Sequence, residues 1–288
     1  MTIGKTLQEI TEKLKANDVP TARLDSIILL EDLTGNERSW LLAHPEFELT
    51  DSDRKILLAQ IERRAQHEPL AYIRGKSEFY GREFLVTPHT LQPRPETETM
   101  ITVLNNLLQH KTTFAEDGPL QRVKDVVIVD VGTGSGCIAI TAKLEMTLAQ
   151  VYATEINEAA LKIARKNIKK LQADITLLHG NLLEPFTKLR DTSSTFTTVI
   201  LANLPYVPNA HAINQAAMHE PRIAIFGGSD GLDLYRELFT QIDMQHLKVT
   251  YIFTESLQNQ HRELTLIAKS HRFKLLVSEG LIQVFQSQ

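Results

Sequence analysis

The chain has 288 residues, 42% hydrophobic and 23% charged, with 13 Gly and 11 Pro, a composition that excludes disordered and fibrous proteins. Lys plus Arg number 31 against 35 Asp plus Glu, a formal net charge of −4, which disfavours nucleic acid as the main partner because neutralising phosphates calls for a basic excess. The single cysteine, Cys137, excludes an intramolecular disulfide and a cysteine-based zinc site, and it points to a reducing, cytoplasmic setting.

Charges interrupt the apolar residues of Met1 to Ile10 before a signal-peptide core can form, and no apolar run approaches the roughly 18 residues of a membrane span. Neither export nor membrane insertion is expected. Length alone predicts about two domains. Ile3, Leu7, Ile10 and Leu14 recur at helical spacing, as do Leu24, Ile27, Ile28 and Leu30, then Ile56, Leu57 and Ile61 behind a cap expected at Asp51 to Asp53. Residues 1–75 thus read as a small helical domain.

From Ser77 to Val86 two short aromatic and aliphatic runs flank Gly81-Arg82, the pattern of a β-hairpin, and residues 76–92 read as a linker. Pro93 and Pro95 stiffen the approach to a helix carrying Ile101, Leu104, Leu107 and Leu108, and a polar loop follows at about 111–122. Strand-like runs at Val126–Val131, Gln150–Thr154, Ile175–Leu178, Thr197–Ala202 and Val249–Thr254 alternate with helical stretches at 137–147, 157–170, 231–245 and 258–269. That alternation predicts a doubly wound parallel sheet over 93–288. Phe273 to Phe285 reads as two strands around a turn at Ser278 to Gly280, an antiparallel finish that favours a methyltransferase sheet over a plain dinucleotide-binding one.

Asp130-Val-Gly132-Thr133-Gly134-Ser135-Gly136 stands between a buried strand and a helix, where missing side chains let a ligand reach the backbone and the helix N-terminus. Its Gly-x-Gly-x-Gly spacing is one residue shorter than the dinucleotide fingerprint, so S-adenosyl-L-methionine fits better than NAD. Glu155, about 20 residues on at the end of the second strand, stands where a carboxylate can accept both ribose hydroxyls. At the third strand end, Asn181 is placed to recognise an adenine amino group, or to cap a helix, and Leu182 to cover the ring.

The fourth strand delivers Asn203, Leu204, Pro205 and Tyr206 to the same edge. An amide or aromatic amine has a delocalised nitrogen lone pair, so a methyl acceptor of that kind needs acceptors on its N–H groups and a ring holding it in line. Asn203 offers a side-chain carbonyl, Leu204 a backbone carbonyl, and Tyr206 a ring whose face also suits a cation. The ten histidines show no metal-ligand spacing, and neither a Gly-x-Ser-x-Gly element nor a P-loop is present.

The chain resembles the glutamine methyltransferase family of peptide chain release factors (the PrmC/HemK type) over nearly its whole length. The likeness is carried by Ala22-Arg-Leu-Asp25, Pro69-Leu-Ala-Tyr72-Ile, Glu78-Phe-Tyr-Gly81, Pro93-Arg-Pro-Glu-Thr-Glu98, the glycine loop, Glu220-Pro-Arg222 and Gly227-Gly-Ser-Asp230-Gly-Leu-Asp233. The resemblance implies a helical substrate-recognition domain, a hairpin, and a domain that methylates the Gln of a release factor's Gly-Gly-Gln tip. It assigns Gly132 to Gly136, Glu155 and Leu182 to the cofactor, and Asn203 to Tyr206 to the glutamine. Two positions depart from the family pattern: Leu204 replaces the first proline of Asn-Pro-Pro-Tyr, and Glu155 replaces the more usual Asp. Arg94 with Glu96 or Glu98 is placed to close the site or to form a surface ion pair. The family is usually monomeric. The residues alone leave open an adenine-N6 or other nucleic-acid methyltransferase, and a non-catalytic adenosylmethionine-binding module.

Overall fold

The computed structural model describes residues 1–109, 126–189 and 196–288. They fall into two compact units, residues 1–76 with 213–219, and residues 77–212 with 220–288. The polar loop expected at about 111–122 lies outside the described residues.

The first unit holds α1 (Ile3–Ala16), α2 (Ala22–Thr34), α3 (Arg38–Ala43), α4 (Asp51–Ala65) and α5 (Leu70–Arg74). Ile3, Leu7, Ile10, Leu14, Leu57 and Ile61 meet in its core, whereas Leu24 and Ile56 face outward. The cap of α4 is Thr50, whose hydroxyl oxygen accepts the Asp53 N–H at 3.1 Å. Asp51 and Asp53, expected as the cap, sit in the first turn, where a negative charge suits the helix dipole. Asp25 is buried and accepts from Arg64 Nε at 2.7 Å and from the Thr21 hydroxyl at 2.8 Å, tying α2 to α4.

At the start of the second unit, β1 (Lys76–Phe79), whose first residue still counts with the first unit, and β2 (Arg82–Leu85) form the hairpin. Its turn residues are Tyr80 and Gly81, at φ 51° and 69°, the two left-handed positions of a type I′ turn. Arg82, expected in the turn, begins β2. There follow α6 (Glu98–Gln109), β3 (Val126–Val131), α7 (Cys137–Glu145), β4 (Gln150–Glu155), α8 (Glu158–Leu171), β5 (Ile175–His179), a single turn α9 (Glu184–Thr187) and β6 (Thr197–Ala202). After them come α10 (Asp233–Met244), β7 (Tyr251–Glu255), α11 (His261–Ser270), β8 (Phe273–Glu279) and β9 (Ile282–Ser287). The helix expected from 258 starts at His261, behind a 3-10 turn at Gln258–Gln260.

Among the described residues, seven strands form one sheet in the order β5-β4-β3-β6-β7-β9-β8. The first five are parallel, and β9 runs antiparallel between β7 and β8. Every residue of β3 is buried, because side chains alternate into two apolar layers. Val126 and Ile128 join Ile101, Leu104 and Ile140 on one face, and Val127 and Val129 join Tyr235, Phe239 and Leu264 on the other. The hairpin belongs to the first of these layers through Phe79 and Phe84. Asn167 of α8 pins it, accepting the Leu85 N–H at 2.8 Å and donating to the carbonyls of Leu85 at 2.9 Å and Ser135 at 2.8 Å. The strand order reverses beside β3, where open α/β sheets place their ligands. Among the described residues no helix is long and apolar enough to cross a membrane.

Candidate active site

A cavity opens over the carboxyl ends of β3, β4, β5 and β6, lined by Gly132 to Ser135, Glu155, Asn181, Leu182 and Asn203 to Pro205, together with Arg94 and Thr97. Gly132, Gly134 and Gly136 take φ values of 71°, 55° and 85°, left-handed conformations that only glycine adopts without strain. A Cβ on Gly134 would meet nothing within 4 Å, so its backbone faces open space; one on Gly136 would press on Ile140 Cδ1 at 3.1 Å. Gly136 therefore serves the packing of α7 and lies outside the lining.

Asp130 also lies outside it. Only 1% exposed, it sits beneath the loop, and its Oδ2 accepts the Thr133 hydroxyl at 2.5 Å and the Ala139 N–H at 3.1 Å. Burial pushes its carboxyl up to about 7 against those two donors. Cys137 borders the cavity, but burial pushes its thiol up to about 12, leaving it unreactive.

Glu155 accepts the Gly134 N–H on Oε2 and the Asn157 N–H on Oε1, each at 2.9 Å. One lone pair on each oxygen remains for a pair of hydroxyls. Asn181 donates Nδ2–H to Glu237 Oε1 at 2.5 Å, which leaves its carbonyl oxygen as the free face. Leu182, at the cavity, holds φ 46°, a strained value for a branched residue of the kind that collects at ligand sites.

Asn203 to Tyr206 leave β6 on a backbone supported from below. Gly227 and Gly231 have no room for a side chain, since a Cβ would fall 2.1 Å from the Pro205 carbonyl oxygen and 2.0 Å from that of Tyr206. Gln260 donates to the carbonyls of Tyr206 and Asp230, each at 2.7 Å. Asn203 donates Nδ2–H to Thr97 Oγ1 at 3.1 Å, and the Tyr206 phenol donates to Glu255 Oε1 at 3.0 Å. Tyr206 thus stands behind the lining, its hydroxyl pushed up by burial and by the charge of Glu255.

Glu255, Gln260 and Tyr235 were not anticipated from sequence. The Tyr235 hydroxyl stands between the strand ends, its single proton shared between Glu255 O at 2.5 Å and Ala202 O at 3.1 Å. A signal for Glu255 did exist, an acid closing the otherwise uncharged strand Tyr251-Ile-Phe-Thr. Two sequence elements without an assigned partner meet here, as Arg94 Nη2 donates to the buried Glu220 at 2.6 Å. Glu98 instead accepts the Tyr80 N–H at 2.8 Å in the hairpin, and Glu96 lies close enough to Glu255 to raise its pKa.

The strand order and the glycine loop at the reversal point are those of the Rossmann-like methyltransferases. Residues 5–75 match the PrmC N-terminal domain family, and residues 113–224 match the methyltransferase small domain. The chain is 35% identical over 251 residues to the release factor glutamine methyltransferase of Koribacter versatilis, spanning 86% of this chain and 83% of that one. It is 37% identical over 221 residues to the Bacillus subtilis protein of the same name, spanning 76% and 72%. The chain belongs to the release factor glutamine methyltransferase family. Its fold is shared by the catalytic domain of human Mettl16, solved with a MAT2A 3'UTR hairpin, at a TM-score of 0.52, 13% identity and coverage of 83% and 82%.

Proposed function

We infer that this chain transfers a methyl group from S-adenosyl-L-methionine to the side-chain amide nitrogen of the glutamine in the Gly-Gly-Gln motif of peptide chain release factors. The observation that carries the reading is the Asn203 amide. With its nitrogen turned to Thr97, the carbonyl oxygen is the group left to receive an N–H, beside the glycine loop.

The residues present fit the cofactor. Gly134 leaves open space above its backbone, and Glu155 keeps a lone pair on each oxygen for the ribose hydroxyls. Leu182 is placed for the adenine face, and the Asn181 carbonyl for its amino group. When bound, adenosylmethionine supplies an electrophilic methyl on a sulfonium.

On the acceptor side, Asn203 Oδ1 and the Leu204 carbonyl take the two amide hydrogens, which aims the nitrogen and stabilises positive charge developing on it. No base is needed beforehand, because the methylated cationic nitrogen is a strong acid that releases its proton to water. Tyr206, fastened through Glu255, backs the Asn203 to Pro205 segment from behind the lining. The helical unit is the surface proposed to recognise the release factor, and the chain is proposed to act as a cytoplasmic monomer on the protein factor without direct nucleic-acid contact.

The test is incubation with adenosylmethionine and a full-length release factor, followed by mass spectrometry of the Gly-Gly-Gln peptide. One methyl on that Gln, absent from a Gln→Ala factor and from Asn203→Ala enzyme, is the expected result; methyl transfer undiminished in Asn203→Ala would refute the acceptor assignment.

A further inference from the structure

Asn181 and Leu182 follow β5 in a turn that α10 holds through one carboxylate. Glu237 Oε1 accepts Asn181 Nδ2–H at 2.5 Å and Gln241 Nε2–H at 3.2 Å. Gln241, four residues further along α10 and buried, accepts the Leu183 N–H on its Oε1 at 3.0 Å. The segment 181–183 is thus tied to the helix at both ends. Leu182 between them holds φ 46°, a conformation that persists in a branched residue only where its surroundings over-determine it. Asn181 and Leu182 line the cavity, and so does Leu234, three residues before Glu237 on the same face of α10.

The direction of each amide follows from its partners. A carboxylate accepts and does not donate, so an amide that touches it offers its NH2. Gln241 gives its NH2 to Glu237 and its carbonyl to Leu183, and the two bonds demand the same orientation of its side chain. Asn181 has the bond to Glu237 alone: among the described residues no other hydrogen bond holds its side chain. With the NH2 turned to Glu237, the carbonyl oxygen is the group left to the cavity.

We propose that Glu237 is a positioning residue of the cofactor site, its carboxylate turning the Asn181 amide so that only an acceptor faces the cavity, and holding, through Gln241, the backbone that carries Leu182. This role rests on the reading of Asn181 as the residue that meets the adenine amino group, and it adds the group that gives Asn181 its direction. An amide freed from Glu237 turns either its carbonyl or its NH2 to the purine. It can then receive a 6-amino group or donate to a 6-oxo group, whereas the amide held by Glu237 sets oxygen against oxygen when a 6-oxo purine enters.

The experiment uses the full-length enzyme and measures by calorimetry the affinities of S-adenosylhomocysteine and of its 6-oxo counterpart, S-inosylhomocysteine, for wild type and Glu237→Ala. In wild type the 6-amino form should bind at least about tenfold tighter, and in Glu237→Ala that ratio should fall by about tenfold, the weight of one mismatched hydrogen-bonding group. The fall should come chiefly from tighter binding of the 6-oxo form. A damaged pocket would instead weaken both nucleosides alike. In an Asn181→Ala background the same change at Glu237 should leave the ratio within about a factor of two, because the amide that Glu237 directs is gone. An unchanged ratio in Glu237→Ala, or equal losses for both nucleosides, would overturn the proposal. A wild type that binds both nucleosides alike would remove Asn181 from the adenine edge, so that the reading beneath the proposal fails first and the proposal with it. Should Glu237→Ala not fold, Glu237→Lys offers only donors, draws the Asn181 carbonyl toward itself and should favour the 6-oxo form; a wild-type ratio in that variant overturns the proposal equally.

Discussion

Leu204 packs against Gly132, where a Cβ built on the glycine would come within 3.2 Å of Leu204 Cδ2. The residue standing in place of the family's first proline therefore rests on the first glycine of the cofactor loop. The substitution thus comes with its own support. Leu204→Pro should lower unfolding stability by about 2 kcal/mol through the packing lost with the buried leucine side chain, while the carbonyl at this position is kept and methylation stays within about tenfold of wild type. Chemical denaturation beside a methylation assay checks both, and unchanged stability would show that the contact is idle.

The buried Asp130 gives stability a pH signature. Its carboxyl is pushed from 3.8 up to about 7, chiefly by burial, so the folded state holds this proton more tightly than the unfolded one. The contribution is complete below about pH 4 and is lost as pH rises through about 7. Proton affinity is roughly a thousandfold higher in the folded state, which amounts to about 4 kcal/mol. Asp130→Asn, which titrates in neither state, should gain on wild type by that order between pH 4 and pH 8 in denaturant unfolding. A constant difference over that range would be inconsistent with the assignment.

Glu155 receives an N–H on each oxygen, and Glu155→Gln must turn an NH2 toward one of them. Adenosylmethionine affinity by calorimetry is expected to drop about 10- to 100-fold, the range for one hydrogen bond to a charged group. An affinity within a factor of about two of wild type would remove Glu155 from the cofactor site.

In the helical unit, Asp25 and Arg64 have side chains only 5% and 11% exposed. Asp25→Ala strands a buried guanidinium and should cost about 3–5 kcal/mol, whereas replacing both residues by apolar ones of similar size should recover most of it. Unfolding of the two variants decides it; equal losses would mean that the pair contributes nothing through its charge.

The helices and strands could be read in the sequence because their signals are local, such as the spacing of Ile3, Leu7 and Ile10 or the unbroken apolar run of β3. The loop glycines and Asn203 to Tyr206 were legible because each follows directly on a strand. Glu255 and Gln260 were not, because what they do depends on a register between strands roughly 50 residues apart, which no periodicity encodes. The same holds for Asn167, whose hydrogen bonds to Leu85 and Ser135 join residues far away in the chain. The I′ turn escaped because Tyr80 takes a left-handed conformation that its type seldom adopts.

The helical unit is not a contiguous stretch of chain. It takes in Ile213–His219, where the His219 ring donates to the Gln66 carbonyl at 3.0 Å, and the backbone passes between the units at 76/77, 212/213 and 219/220. One cut after residue 76 therefore cannot yield two self-sufficient pieces. The amino-terminal fragment would lack one of its own segments, and the remainder would carry that segment stripped of its surroundings, so dissecting this enzyme into parts calls for grafting rather than truncation.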